Sequence, residues 1–345
     1  MADWLDKPAV PVAYGALIEE VAGTFGVGAE LLTAAGVSPV AFADPSARLT
    51  AREAGSLLHH ARELTGEPGF GYEVGLRSSL TSHGAMGFGL LTSATLREAI
   101  ELGAEFSRVR LPMLQLQLVV DGDQAAVDVQ QLFPVGPVRP SLFELFLVGL
   151  ARMTPVLLTG RSMHDNELWF EGPEPAYFAA YRDRLPPTRF DTGVNQLRFP
   201  VEFLDLRIDT ANELAAREAQ EQIAGELTRI GLADDVLVRV RTLLSTGSVG
   251  YDLATVAQAL HLSPRTLRRR LQDHGATFHA MVSEARRDEA TRLLRNSVLT
   301  VEQIAGHLGY SDPGNFCRAF KRWTGLTPGS FRASHVTDSS RAPLG

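Results

Sequence analysis

Apolar positions along this chain follow two periods, and the changes between them divide the molecule. Ala13–Phe25 and Ala29–Ala35 carry helical spacing, with Gly26, Gly28 and Gly36 as breaks. Thr50 with Glu53, and Thr95 with Glu98, stand at capping-box spacing and open helices running to about Leu64 and Val109. Between them Gly66, Pro68 and Gly69 interrupt the chain, and a short helix covers Phe70–Leu76. Ser82–Leu91 mixes glycine with apolar residues, which suggests backbone packed on backbone or room for a ligand. From Met113 the period becomes two. Met113–Val120 and Ala125–Gln131 flank Asp121–Gly122–Asp123, a hairpin signal, with Leu114, Leu116 and Leu118 on one face and Gln115 and Gln117 on the other. Ser141–Leu158 reads as a long buried helix, and Glu167–Phe170 and Asn195–Phe199 as short strands. Helices first, then strands and helices interleaved, predict an α+β domain with antiparallel strands.

After residue 208 the helical period returns and stays. Thr210 and Glu213 give another capping box, opening a helix over Ala211–Ile230. Its stripe of Ala216, Ala219, Ile223, Leu227 and Ile230 has the spacing of a short coiled-coil seam. A dimer contact and packing against its own domain are equally open readings of that stripe. Gly231–Asp235 reads as a linker. Leu253, Val256, Ala257 and Leu260 then form an inward stripe, His261–Leu262–Ser263 a turn, and Ser263 with Pro264 the start of a second helix. Leu267 and Leu271 face inward on it, while Arg265, Thr266, Arg268 and Arg269 face outward. The same arrangement follows a connecting helix, Phe278–Leu294. Thr300 and Gln303 cap a helix with Ile304, Ala305 and Leu308 inside, Gly309 stops it, and Asp312–Pro313 starts the next. Phe316, Phe320 and Trp323 turn inward there, leaving Asn315, Arg318, Lys321 and Arg322 outside. Two helix-turn-helix units joined by a linker helix predict an all-α C-terminal DNA reader. The expected organisation is a sensing domain over 1–208, a helix and linker over 209–235, the paired units over 236–333 and a polar, disordered tail over 334–345.

Charge sharpens this division. The net charge of −7 is unpromising for a DNA binder until the chain is split. Val236–Gly345 holds 15 Arg and Lys against 8 Asp and Glu, a net of +7, which leaves 18 against 32, or −14, for the rest. A basic module on an acidic body points to a nucleic-acid-facing end. The lone cysteine, Cys317, excludes an internal disulfide or a cysteine-rich zinc site and suits a reducing cytoplasm. MADWLDKPAV lacks the basic-then-apolar pattern of a signal peptide, and Glu144, Arg152 and Pro155 interrupt the most apolar helix, so no membrane partner is expected. His59, His60 and Glu63 share a helix, but no third-ligand motif accompanies them and no metal or other cofactor is expected.

The residues I-A-x-x-L-G-Y-S-D followed by F-x-R-x-F-K-R-W-x-G-x-T-P-x-x-F-R, from Ile304 to Arg332, resemble the signature of AraC/XylS-type bacterial transcription regulators. LLTAAGV, DPSARL, ELTGEPGFGYEVG and GAMGFGLLTSATLREAIE, with the later stretch from Phe199, resemble the sensor domain of a subfamily that includes ornithine-utilisation and VirS-type regulators. That domain is often called arabinose-binding. The resemblance implies double-stranded DNA, a small-molecule effector and RNA polymerase as partners, with a homodimer among the alternatives, and it implies no enzyme activity. By the family pattern Arg265, Arg268 and Arg269 correspond to base readers. In the second unit Pro313, Gly314, Asn315 and Arg318 do so, with Lys321 nearer phosphate. The family often has serine where Gly314 stands, so Pro313 and Gly314 offer no polar side chain and the first unit is expected to supply most of the sequence choice. In the resembled family the linker helix holds the two readers in successive major grooves, which the resemblance implies here at a spacing of about 34 Å.

For the effector, His83, Phe88, Arg110, Phe133, Arg139 and Phe170 are the candidates, as polar or aromatic groups within apolar stretches. Composition suits a fatty acid or lipid, and the ornithine-type resemblance an amino acid. A ligand-independent DNA binder and an enzyme fused to a DNA anchor are the competing classes, the latter without a nucleophile motif or phosphate loop to support it.

Overall fold

The computed structural model describes residues 5–111, 113–229, 236–245, 252–273, 276–297 and 299–336. Two compact units form, one of Ala2–Phe190 with Val194–Asp234 and one centred on Asp235–Gly345. The predicted linker Gly231–Asp235 and the tail from 337 onward lie outside the described residues.

The first unit begins with strand β1 (Pro8–Pro11), which pairs antiparallel with β2 (Arg48–Thr50) around helices α1 (Val12–Thr24) and α2 (Gly28–Ala35). Pro8 and Pro11 argue against a strand by pattern, and β1 survives because its sheet has only two strands and leaves an edge free of ladder demands. Helix α3 (Ala51–Thr65) carries the full capping box, Thr50 accepting from the Glu53 N–H while Glu53 accepts from the Thr50 N–H. Helix α4 (Phe70–Arg77) is followed by α5 (Ala85–Thr92) and α6 (Leu96–Arg110). Strands β3 (Leu114–Asp121) and β4 (Gln124–Gln131) form the expected hairpin, with Gly122 at φ 61 in the first loop position. Helix α7 (Arg139–Leu157), then β5 (Glu167–Trp169), β6 (Thr188–Arg189) and β7 (Gln196–Pro200) complete a sheet of order β3-β4-β7-β5-β6, antiparallel except between β5 and β6.

Small residues set the helix spacing. A Cβ on Gly71 would stand 2.5 Å from the Ser141 carbonyl, and one on Gly75 2.9 Å from that of Leu145, so α4 lies backbone-close against α7. Glu73, at 7 % exposure, takes both guanidinium nitrogens of Arg184 at 2.5 and 3.0 Å. Those bonds hold its carboxyl below the usual range and pin α4 to the segment after Tyr181. The leucine/glutamine alternation of β3 holds, and the polar face is buried too: Gln115, Asp128 and Gln196 are each under 8 % exposed. Such groups need partners. Asp128 accepts from Gln196 at 2.9 Å and from Gln130 at 2.8 Å, and Arg198 lies 4.3 Å over the Trp169 ring.

Helix α8 (Glu213–Arg229) starts two residues later than the capping pattern predicts. The Thr210 hydroxyl is drawn away to the Leu91 carbonyl, the Asn212 N–H goes to Thr92, and Asn212 caps instead, accepting from Ala215 at 3.0 Å. On α8, Ala219 and Ile223 are 1 % exposed within their own unit and Ala216 is half-buried. The Leu227 side chain and Ile230 lie outside the described residues.

The second unit is helical: α9 (Val236–Ser245), α10 (Leu253–Ala259), α11 (Pro264–Asp273), α12 (Phe278–Asn296), α13 (Val301–His307), α14 (Pro313–Thr324) and α15 (Pro328–Val336). It holds two separate cores. One gathers Val240, Val256, Leu267 and Leu271; the other gathers Ile304, Leu308, Phe316 and Phe320. Helix α12 gives Met281 to the first and Leu294 to the second, so it is the shared wall. Helix α15 reaches Val336, into the stretch that composition alone assigns to a tail.

Candidate nucleic-acid interface and ligand cavity

The two helix-turn-helix units repeat one design. Asp252 caps α10, accepting from the Thr255 N–H at 2.9 Å, and those bonds keep its carboxyl below the usual range. His261 then takes φ 55 at the turn, where Gly309 takes φ 76 in the second unit. A left-handed residue is what lets the chain leave one helix and enter the next within a few residues, and histidine is among the side chains that tolerate it. Ser263 caps α11 through the Thr266 N–H at 3.1 Å, and Asp312 caps α14 through the Asn315 N–H at 3.0 Å. The equivalent inward positions are Leu267 and Leu271 on α11 and Phe316 and Phe320 on α14, all fully buried.

What remains outside is the proposed reading surface. Arg265, Arg268 and Arg269 are exposed on α11, and Thr266 is half-buried beside its cap partner Ser263. On α14, Asn315, Arg318, Lys321 and Arg322 are exposed. Arg318 donates to Asn315 Oδ1 at 2.6 Å and lies 3.9 Å from the Asp312 carboxylate. A Cβ on Gly314 would approach that carboxylate to 3.1 Å, so the glycine gives the cap and Arg318 room. Two arginines outside the reading helices escaped pattern reasoning. Arg286 on α12 donates to the Leu308 carbonyl at 2.9 Å with its guanidinium 4.8 Å over Tyr310, and Arg332 donates to the carbonyls of Leu294 and Leu299. Both tie the linker helix to the second unit. An arginine in a basic domain reads by composition as a phosphate contact, and only the fold shows these two turned inward.

The N-terminal unit contains a cavity of about 610 Å³, within the range of about 300–1,000 Å³ typical of small-molecule sites. Tyr14 of α1, Leu58 of α3, Met86 and Leu90 of α5, and Phe146 and Met153 of α7 line it, with Leu116 of β3 and the Pro134–Val138 loop. A smaller space of about 70 Å³ shares Leu90, Gly103, Leu116 and Met153 with it and runs on to Leu197 and Phe199 of β7. The wall is overwhelmingly apolar. Its polar members are mostly committed elsewhere: Ser56 donates to the Ala35 carbonyl at 3.0 Å, Ser107 to that of Ala104 at 3.2 Å, and Arg52, at the rim, to Asp6 at 2.8 Å.

The sequence candidates fall in different places. His83 is on the wall. Phe88 is 50 % exposed on α5. Phe133 is buried just before the lining loop, and Phe170 is buried against Phe190 and Tyr72. Arg139 pairs with Glu171 and Gln131 and lies 4.8 Å over Phe143. The Arg110 side chain lies outside the described residues. His60 is held by Ser56, with His59 edge-on against it, and among the described residues no group of three metal-ligating side chains gathers. Tyr14 and Gly103 are lining residues that pattern reasoning passed over, because the wall draws single residues from elements scattered between residues 5 and 153.

Residues 28–208 match the family model described as the arabinose-binding domain of AraC transcription regulators, and residues 256–334 match a helix-turn-helix domain. The ornithine utilization regulator of Pseudomonas aeruginosa is 30 % identical over 326 residues, covering 94 % of this chain and 96 % of its own. The regulator VirS of Mycobacterium tuberculosis is 30 % identical over 275 residues, 77 % of this chain and 79 % of its own. The crystal structure of the transcriptional regulator CdpR from Pseudomonas aeruginosa is 24 % identical with a TM-score of 0.43, covering 88 % of this chain and 96 % of that one.

Proposed function

The chain belongs to the AraC family of DNA-binding transcription regulators, and from that premise we propose that a small apolar effector, held in the first unit, controls how the helix-turn-helix units occupy a promoter. The cavity carries this reading. Its size suits a small molecule, and its wall offers mainly hydrocarbon. An amino acid is the rival, suggested by the ornithine utilization relative. Its ammonium group would need a carboxylate, and no Asp or Glu stands among the described lining residues. A ligand acts only through a difference in affinity between two states of the protein, so the effector must favour one arrangement of the regulator over another.

Straight-chain primary alcohols test the cavity without involving a charged end. Each added methylene should contribute about 0.8 kcal/mol, roughly a fourfold gain in affinity, until the space is filled. Thermal shifts that rise along the series support the reading, and a flat series at zero sinks it. Gly103→Leu is the matching variant. A Cβ there meets nothing closer than Leu90 at 3.7 Å, so the side chain can enter the cavity without striking backbone. Replacing a glycine inside α6 also removes a helix penalty of about 0.5–1 kcal/mol. The variant should keep or raise the unfolding temperature while losing the alcohol-dependent shift.

On the DNA side, Arg269→Ala should cost about 1–3 kcal/mol at the specific site and relax base preference there, as removal of a guanine-bridging arginine does. Weakening by the same factor on every sequence, with a shallower salt dependence, would instead make Arg269 a phosphate contact.

A further inference from the structure

The cavity wall has one polar feature that its own backbone does not explain. The Tyr14 hydroxyl and His83 Nδ1 are 2.6 Å apart, with the rings edge-on at 5.5 Å between centroids. The two residues come from elements 69 positions apart, α1 and the turn Leu80–His83 ahead of α5, and both line the cavity. Placing that histidine requires two glycines. Gly84, the next residue, takes φ 54 and ψ −133, a region closed to other side chains. Gly87 packs so close that a Cβ would stand 1.9 Å from the Leu80 carbonyl. The glycine-rich stretch therefore folds one short turn back on α5 and holds the imidazole against the cavity.

We propose that Tyr14 and His83 together read the polar end of the effector, and that this end is a single carboxylate on an otherwise apolar molecule. This rests on the reading of the cavity as the effector site. The chemistry follows from the donors on the wall. Whichever way the 2.6 Å bond runs, the pair can offer a donor to a ligand oxygen: Nε2–H where the phenol donates to Nδ1, the phenol O–H where Nδ1–H donates to it. Sign agrees with this. Among the described lining residues the titratable groups besides Tyr14 are His59, His83 and, at the rim, Arg52, whose charge Asp6 already answers at 2.8 Å, and none of them is an Asp or Glu. An anion gains from that set, a neutral hydroxyl gains less, and an ammonium gains nothing. The apolar remainder of the wall accepts the chain or ring behind the carboxylate, and the adjoining space toward Phe199 gives a longer one room to continue.

Titration calorimetry of the full chain with decanoate, decanol and decylamine tests this. Charge-assisted hydrogen bonds of this kind correspond to a preference of about ten- to a hundredfold for the acid over the alcohol. Tyr14→Phe, which keeps the ring, should remove most of that preference and leave decanol affinity within about twofold; His83→Phe should do the same. The wild-type comparison needs no variant, so a substitution that fails to fold does not block the test. Equal affinity for acid and alcohol, or an unchanged preference in Tyr14→Phe, overturns the assignment and leaves the cavity reading standing. Binding of none of the three overturns the cavity reading and the assignment with it.

Discussion

Phe320→Ala should dissolve the second helix-turn-helix unit while leaving the N-terminal unit folded. Phe320 is fully buried on α14, tilted against Phe316 at 5.8 Å and edge-on to Phe331 at 5.3 Å. Deleting a buried phenylalanine ring costs about 3–5 kcal/mol, partly lost transfer energy and partly the cavity left behind. The core it shares is small, closed by Ile304, Leu308 and Leu294, and a unit of that size has little stability in reserve. The consequence passes directly to the surface. Asn315 and Arg318 are exposed on the same helix, and without its seat α14 cannot hold these proposed DNA contacts in place. Amide hydrogen exchange on the full chain is the measurement, since it reads local opening unit by unit. Protection across α13 and α14 should fall by about a hundredfold or more, with α1 to α7 unchanged. Protection that persists would mean that α12 and α15 close over the missing ring.

That core was visible in sequence because it is built locally. Phe316, Phe320 and Trp323 recur at helical spacing, the Thr300–Gln303 box and Asp312–Pro313 mark the helix starts, and each of those devices acts within a few residues. The hairpin of β3 and β4 was legible for the same reason. Features that depend on distant partners were not. The Thr210 cap lost to Asn212 because Leu91 and Thr92, far away in the chain, took its donors. The β1–β2 pair depends on a partner about forty residues away in a proline-bearing segment. The aromatic candidates Phe133 and Phe170 looked like a pocket for the sound reason that aromatics line pockets, and they lie in packed interior instead. His83 reached the cavity wall, and its partner Tyr14 went unremarked, because nothing in the run VAYGALIEE separates a wall tyrosine from a core one.

The glycines link these cases. GAMGFG is ambiguous in sequence between close packing and ligand room; in the structure it packs closely and also borders the cavity. Gly87 brings α5 against the Leu80 carbonyl, and a Cβ on Gly89 would stand 3.3 Å from Ala219 of α8, while Met86 and Leu90 of the same helix line the cavity. Helix α5 is thus a thin wall between the cavity and α8. Helix α8 is in turn fixed to β2 by Arg48 and Glu226 at 2.8 Å. On the proposed function, an effector pressing on Met86 or Leu90 would bear on α8 through α5, because interiors packed this closely transmit strain.

Glu144→Gln should stabilise the N-terminal unit above neutral pH and do nothing in acid. Glu144 is 3 % exposed on α7. Its Oε1 accepts from the Tyr177 hydroxyl at 2.6 Å, and its Oε2 is buried with no hydrogen-bond partner among the described residues. Burial pushes the carboxyl up from 4.5 to about 7, against the weaker opposing pull of the Tyr177 hydrogen bond and of Arg62. Between those two values the folded chain keeps a proton that the unfolded chain has released. The unfolded state then binds fewer protons, so stability falls as pH rises through that window and levels off once the folded carboxyl has also ionised. The accumulated cost is on the order of 3 kcal/mol. Glutamine keeps the acceptor for Tyr177 and never ionises, so the variant should gain roughly that amount at pH 8 and match the wild type near pH 4. Glu73 tilts the profile the other way: its carboxyl is held low by Arg184, so its contribution is present above the unfolded value and lost in acid. The difference between variant and wild type cancels that background. Urea unfolding of both across pH 4 to 8 therefore isolates Glu144. A variant no more stable than the wild type at pH 8 would show that the ionised carboxylate has found a compensating partner, and that this buried acid stabilises the packing of α4 on α7 rather than straining it.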